Sequence, residues 1–248
     1  MRKTTISRLF YLSFFLVLTS FSNSVGSYSS SGTLVDTTGT VNELTIESSA
    51  KAYSAMLYEK MNLEEIGLEQ EVLDAAIEGH QKLVSEGAIS NPRYLTIVDF
   101  SQSSRKKRFY LLDMENQEVA MNTFVSHGKN SGLDRAERFS NVPESEKSSL
   151  GFYTTKSPYI GKHGLSLRLG GLEEGFNDNA ETRAIVLHGA SYVNKGRVNS
   201  TFMGRSQGCP AVPEKQASKI INLIKDGTAL FVYHTSDNYL NNSKLLNS

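Results

Sequence analysis

The sequence has little cysteine, little proline and no tryptophan, and its opposite charges cancel. Its 248 residues include one cysteine and five prolines, and 26 basic residues are balanced by 26 acidic ones. A single cysteine excludes an intrachain disulfide, so stability has to come from a hydrophobic core. The balanced charge lacks the basic excess that proteins with a nucleic acid partner carry. We therefore expect one well-buried domain with appendages, and no nucleic acid partner.

Long apolar segments are also scarce, and the N-terminal one, Leu9–Leu18, is short. A membrane-spanning helix needs about 20 apolar residues. Positively charged residues precede this run, from Arg2 to Arg8, and small residues follow it. This order is typical of a secretory signal peptide. We predict a signal peptide over residues 1–26, localisation in the periplasm or cell envelope, and membrane contact only during export.

The following residues change from a linker composition to helical periodicity. Residues 27–47 are rich in Ser, Thr and Gly without a repeating pattern, which predicts a flexible linker. Within residues 48–90, apolar residues recur at helical spacing in two segments. We predict a pair of helices there that buttresses the next domain. The predicted apolar faces consist of Tyr53, Met56, Leu57 and Met61 in the first helix and of Leu73, Ala76, Ile77, His80 and Val84 in the second.

Residues 91–236 have the pattern of a mainly β domain, and residues 237–248 that of a polar tail. Short β-branched and aromatic runs alternate with turns, which favours mostly antiparallel strands. One helix is predicted from Pro213 to Asp226, directly after the segment that contains the cysteine. The predicted strands are 94–100, 108–113, 118–125, 151–155, 166–169, 184–187 and 228–233.

The single cysteine, Cys209, lies in the turn Gly204–Pro210, and His188 lies nearby in the sequence. A thiol becomes a strong nucleophile as a thiolate, and a neighbouring histidine removes its proton or lowers its pKa. His188 follows the apolar run Ala184–Leu187, and we expect Gly189 to end this strand so that the ring faces a cleft. A buried structural cysteine is the common alternative. A polar turn in an exported chain favours a reactive thiol.

The turn around Cys209 also predicts an oxyanion hole. Gly208 permits a backbone conformation that a side chain would resist. The N–H groups of Gln207, Gly208 and Cys209 are then able to point at one place, as acyl transfer requires. Ser206 is expected to orient either the turn or His188.

Four ordered blocks of the sequence carry a family resemblance. They are Val125–Gly132 (VSHGKNSG), Ser148–Thr155 (SSLGFYTT), Gly161–Leu167 (GKHGLSL) and Gly204–Ala211 (GRSQGCPA). With His188 and Gly189 they resemble the catalytic signature of YkuD-type L,D-transpeptidases, and within that group the murein L,D-transpeptidase catalytic domain family. The resemblance covers roughly residues 92–234. It implies a YkuD-like antiparallel β-sandwich with the active site in a cleft at one edge.

The resemblance implies a peptidoglycan L,D-transpeptidase that needs no cofactor. Cys209 would attack the carbonyl of the third residue of a donor stem peptide, and His188 would pass the proton to the leaving amine. The acceptor stays open. An amine of a second stem or of a protein gives a cross-linked or modified cell wall, and water gives an L,D-carboxypeptidase. A non-catalytic wall-binding module is a further alternative.

One position departs from the common pattern of the family. That pattern has an arginine two residues after the cysteine, where this chain has Ala211. If that arginine meets the carboxylate of the donor, another cation has to do so here. The candidates are Arg205, Arg197 and Arg168.

Further residues in Gly-rich segments are candidates for substrate binding, because loops often carry function. His127 and His163 either line the groove, orient His188, or act as hydrogen-bonding loop residues. We predict no metal site, because the spacings C-x-x-C, H-x₃₋₅-H and H-E-x-x-H are missing from the sequence. The predicted binding residues are His127, His163, Gly189 and Arg205.

Overall fold

The computed structural model describes residues 38–247, and a large β-sheet dominates them. The helices are α1 Thr38–Lys60, α2 Gln70–Ser85, α3 Glu214–Ile224 and α4 Asp237–Asn242, with a 3₁₀ turn at Lys195–Arg197. The strands are β1 Tyr94–Asp99, β2 Phe109–Asp113, β3 Glu118–Thr123, β4 His127–Gly128, β5 Gly151–Gly161, β6 Gly164–Gly171, β7 Val186–Ala190, β8 Arg205–Ser206, β9 Ala211–Pro213 and β10 Ala229–Tyr233. The predicted mainly β class is confirmed.

Eight of these strands form one sheet in the order β3-β2-β1-β10-β5-β6-β7-β9. Most neighbours pair antiparallel, as predicted. The pairs β1–β10 and β7–β9 are parallel. β4 and β8 form a separate two-stranded parallel ribbon. The sheet is therefore mixed, and its parallel pairs join segments that are distant in the sequence or separated by the Cys209 turn.

The central strands are buried on both faces, because other elements cover them. Every residue of β1, β2 and β10 is buried. α2 packs against β1 and β10, whereas α3 packs against β6, β7 and β9. Gly79 lets α2 approach β5, because a Cβ there would lie 2.2 Å from a ring carbon of Phe152. The helical pair thus shares one hydrophobic core with the sheet.

The two N-terminal helices follow the predicted pattern in part. Gly87 has a φ of +72° and donates its N–H to the carbonyl of Val84, so this glycine terminates α2 as expected. In α1, Leu57 and Met61 are buried, but Met56 is 41% exposed. The prediction that Met56 belongs to the buried face is therefore wrong, because that face runs through Ser54, Leu57 and Met61.

Two segments are helical where the sequence predicted irregular structure. Residues 38–47, assigned to the linker, belong to α1. The predicted polar tail contains α4, in which Tyr239 is fully buried. The predicted signal peptide and residues 27–37 lie outside the described residues. Within residues 38–247, no helix is both long and apolar enough to cross a membrane.

Glu173 connects the C-terminal segment to the sheet. Its carboxylate accepts hydrogen bonds from the Phe152 N–H at 2.7 Å, the Tyr239 hydroxyl at 2.8 Å and the Ser243 hydroxyl at 2.5 Å. The side chain is buried, and burial raises the pKa of Glu173, while these donors oppose the rise. A buried carboxylate is costly unless such donors satisfy it.

Replacing Tyr239 with Phe tests this connection. We expect Tyr239→Phe to lower the free energy of unfolding at pH 7 by about 1–3 kcal/mol, because it leaves a buried carboxylate short of a donor. The loss should shrink as the pH falls through the raised pKa of Glu173, because the protonated carboxyl needs that donor less. Denaturant unfolding of both proteins at several pH values measures the difference.

Tyr53→Phe is the matched control, because Tyr53 is half-buried and its hydroxyl has no hydrogen bond among the described residues. This variant should be nearly neutral at every pH. An equal and pH-independent loss in both variants would contradict the role assigned to Glu173.

Candidate active site

His188 lies in the middle of β7, and the main-chain carbonyl of the next residue orients its ring. In the parallel pair with β9, its partner is Ala211. The Nδ1–H donates to the carbonyl of Gly189 at 2.9 Å. Because Nδ1 carries the proton in this arrangement, Nε2 is left as the acceptor nitrogen that a general base needs.

Gly189 does not end the strand, so that prediction is wrong. The strand runs from Val186 to Ala190. It starts later than predicted because Ala184 has a φ of +52°, which is not a strand conformation. Gly189 is instead required for packing, since a Cβ there would lie 3.0 Å from the Cβ of Ala217 on α3. Its contribution to the site is the carbonyl that orients His188.

Cys209 lies beside the start of β7 and is partly buried. Its sulfur accepts the N–H of Val186 at 3.5 Å, and the thiol faces the carbonyl of Ala184 at 3.7 Å. Cys209 precedes Ala211, the strand partner of His188, by two residues. The two predicted residues therefore lie on neighbouring chain segments at one edge of the sheet. Among the described contacts, none is a hydrogen bond between the sulfur and the imidazole.

Burial favours the neutral forms of both groups. It lowers the pKa of His188, and the charge of Lys162 adds to this lowering. Burial also raises the pKa of Cys209, against the opposing effects of the Val186 N–H and of the positive charges of Arg183 and Lys162. A neutral thiol beside a neutral imidazole suits general-base catalysis, in which the proton leaves as the sulfur attacks.

The Ser206 hydroxyl organises the cysteine turn and has no hydrogen bond to His188 among the described residues. Its hydroxyl donates to the carbonyl of Cys209 at 2.6 Å and accepts the N–H of Gly208 at 3.1 Å. Gly208 has a φ of +119°, so glycine is required there, as predicted. Because its N–H is engaged by Ser206, Gly208 is not available as an oxyanion donor in this arrangement. Gln207 and Cys209 supply the remaining predicted N–H groups.

The cysteine turn rests on residues 140–149, which Arg183 holds in place. The guanidinium donates to the carbonyls of Ser140 at 2.7 Å and Lys147 at 2.6 Å. Ser148 donates its hydroxyl to the carbonyl of Gly208 at 3.2 Å. Sequence reasoning missed Arg183, although it directly precedes the apolar run that leads to His188.

The hairpin between β5 and β6 brings His163 to the site. The rings of His163 and His188 stack with centroids 4.2 Å apart and planes 20° apart. His163 is exposed, and so is its neighbour Lys162. Sequence reasoning missed Lys162, because only the tertiary fold brings this turn over β7.

His127 is fully buried, although its neighbours Ser126 and Gly128 pair with Ala211 and Ser206 beside the cysteine turn. Its Nδ1 accepts a hydrogen bond from Arg108 at 2.8 Å, and its Nε2–H donates to the carbonyl of Gly132 at 3.2 Å. Burial and the charge of Arg108 lower the pKa of His127 to about 3. The prediction that His127 lines a groove is therefore wrong, because its ring has no exposed surface.

The three arginines predicted to meet a carboxylate have other contacts. Arg205 donates to two main-chain carbonyls and lies 4.6 Å from the ring centroid of Phe202. Arg197 approaches the same ring at 5.8 Å. Arg168 lies 4.3 Å from the ring centroid of Tyr159. The described residues contain no group of three or more His, Cys, Asp or Glu that could hold a metal ion.

Comparisons with known proteins place these residues in context. A family model described as "L,D-transpeptidase catalytic domain" matches residues 64–233. No curated protein matches the chain. Among solved structures, it is similar to an L,D-transpeptidase from Mycobacterium smegmatis (15% identity, 57% of this chain, TM-score 0.36). It is also similar to L,D-transpeptidase 3 from Mycobacterium tuberculosis (12% identity, 57% of this chain, TM-score 0.37). The chain spans 59% and 61% of those two proteins, respectively.

Alkylation of Cys209 tests whether its thiol is neutral. We expect the rate with iodoacetamide to rise with pH through a thiol pKa above its ordinary value. A preformed thiolate–imidazolium pair would instead give a plateau on the acid side. Intact mass follows the reaction without ambiguity, because the sequence has one cysteine.

The same protein in denaturant is the control for this profile. Unfolding removes the burial of Cys209, so its profile should shift to the ordinary thiol pKa of about 8.5. A folded protein that reacts at a constant rate from pH 5 to 8 would contradict the neutral pair.

Proposed function

The chain belongs to the L,D-transpeptidase catalytic domain family, and from this premise we propose that it is an exported, cysteine-dependent peptidoglycan L,D-transpeptidase. The family match over residues 64–233 includes both Cys209 and His188. The observation that carries the proposal is the pairing of β7 with β9, which sets the single cysteine beside the strand that bears an oriented histidine. Peptidoglycan stem peptides are the proposed donor and acceptor.

The first half-reaction acylates Cys209. Its sulfur attacks the carbonyl carbon of the third stem residue, and the thiol proton passes to Nε2 of His188. The carbonyl electron pair moves to oxygen, where the N–H groups of Gln207 and Cys209 stabilise the negative charge. Collapse of this intermediate breaks the C–N bond, and the terminal D-amino acid leaves with the proton from His188.

The sulfur has to change partners before it attacks. Its contacts with the Val186 N–H at 3.5 Å and the Ala184 carbonyl at 3.7 Å are long, and hydrogen bonds to sulfur are weak. Rotation of the partly exposed Cys209 side chain therefore costs little. Catalytic hydrogen bonds often tighten only when substrate is bound.

The second half-reaction releases the acyl group to an acceptor. An amine of a second stem attacks the thioester, loses a proton to His188 and forms a new amide, which restores the Cys209 thiol. An amine of a protein would react in the same way. Water in place of the amine would make the protein an L,D-carboxypeptidase.

The proposed location is the periplasm or cell envelope, where peptidoglycan is built. It rests on the positively charged and apolar segments of residues 1–18, which are typical of a signal peptide. A neutral thiol also suits an exported protein, because thiolates are the form that oxidises.

Purified tetrapeptide stems test the proposed reaction. We expect the protein to form a thioester adduct, release the terminal D-amino acid and produce cross-linked dimers, which mass spectrometry detects. Cys209→Ser should abolish the thioester. His188→Gln should lower kcat/KM by about 100- to 10,000-fold, because it removes the general base.

His234→Gln is the matched control, because His234 is half-buried and its ring packs on Phe139, away from His188. It should keep its activity. Release of the D-amino acid without dimers would favour the carboxypeptidase. Undiminished turnover by Cys209→Ser would contradict the proposed mechanism.

A further inference from the structure

The proposed reaction determines where the carboxylate of the leaving D-amino acid lies. Its carboxylate carbon and its leaving nitrogen are bonded to the same Cα, so they are only about 2.5 Å apart. His188 has to come within hydrogen-bonding distance of that nitrogen to protonate it. A cation that binds the carboxylate must therefore reach a point close to the His188 ring.

The tip of the β5–β6 hairpin adjoins this ring. His163 stacks on His188 with a centroid distance of 4.2 Å. The register of the sheet fixes the hairpin, because Ser166 of β6 is the strand partner of His188. Lys162 precedes His163 at the tip and is exposed. Its ammonium group is thus carried by the element that contacts the ring.

The ammonium group of Lys162 is also available to bind a ligand. In the part of the chain that the structure describes, it has no ion pair and no hydrogen bond. The neighbouring cations differ, because both terminal nitrogens of Arg183 donate to carbonyl and hydroxyl groups. Lys129 pairs with Glu146 at 2.6 Å. A free ammonium beside the reacting groups gains a partner when an anionic substrate enters.

The positive charge of Lys162 affects the pKa values of both His188 and Cys209. It adds to the lowering of the His188 pKa and opposes the rise of the Cys209 pKa. Coulomb interactions weaken with distance, so both effects agree with an ammonium close to the place where the scissile bond would lie.

We propose that Lys162 binds the terminal carboxylate of the donor stem and thereby selects donors with a free C-terminal acid. His163 seats the hairpin tip on the His188 ring, which positions Lys162 toward the leaving residue. The proposal rests on the proposed function, and it assigns to this hairpin the role for which Arg205, Arg197 and Arg168 were the candidates from the sequence.

The test compares two donors that differ only at the carboxylate. One is a stem tetrapeptide that ends in a free D-alanine, and the other ends in D-alaninamide. We expect the wild type to prefer the acid by about 10- to 100-fold in kcat/KM, as a charged hydrogen bond would give. Lys162→Ala should lose this preference by slowing with the acid and not with the amide. Lys162→Arg should restore most of it.

Lys219→Ala is the matched control, because Lys219 is an exposed lysine on α3 without an ion pair among the described residues. It should keep the wild-type preference. If the wild type releases the D-residue from neither donor, the proposed function fails and Lys162 loses its role with it. If the wild type turns over and Lys162→Ala keeps the preference for the acid, only the role of Lys162 is overturned.

Discussion

The parallel pairing of β7 with β9 is the constraint on which the site depends. It sets His188 opposite Ala211, so the turn that precedes β9 has to deliver Cys209 to the same edge of the sheet. α3 begins directly after β9 and packs against β7. Gly189 makes this close packing feasible, because a Cβ there would lie only 3.0 Å from atoms of the helix. The turn that contains Cys209 is thus anchored by β9 and by α3, which follows that strand.

Further hydrogen bonds hold the turn that contains Cys209. Arg183 fixes residues 140–149, and Ser148 from that segment bonds to the carbonyl of Gly208. Ser206 closes the turn internally. Because these contacts use main-chain groups, the shape of the turn does not depend on the Cys209 thiol.

The sequence was sufficient to predict features that depend on a few neighbouring residues. It was insufficient to predict contacts between segments that are far apart in the chain. Cys209, His188 and the glycine requirement at Gly208 follow from short motifs whose chemistry is contained in a few residues. Lys162 and Arg183 were missed, because their roles arise from contacts between segments far apart in the chain. His127 was misassigned for a related reason. A Gly-rich segment suggests an exposed loop, but Arg108 and Gly132 enclose that ring in the core.

The mainly β class could be predicted from the sequence, because short alternating runs predict strands. Such runs do not predict which strands pair with each other. The parallel pair of β1 with β10 joins Tyr94–Asp99 to Ala229–Tyr233, near opposite ends of the domain. Closing so long a loop costs chain entropy before the hydrogen bonds and packing of the strand pair can offset that cost. Proteins with such distant contacts fold slowly. The central β1–β10 pair cannot form until β10 has been synthesised, so the sheet is completed late. In the export that we propose, such late completion keeps the chain in the unfolded form that a translocation channel admits.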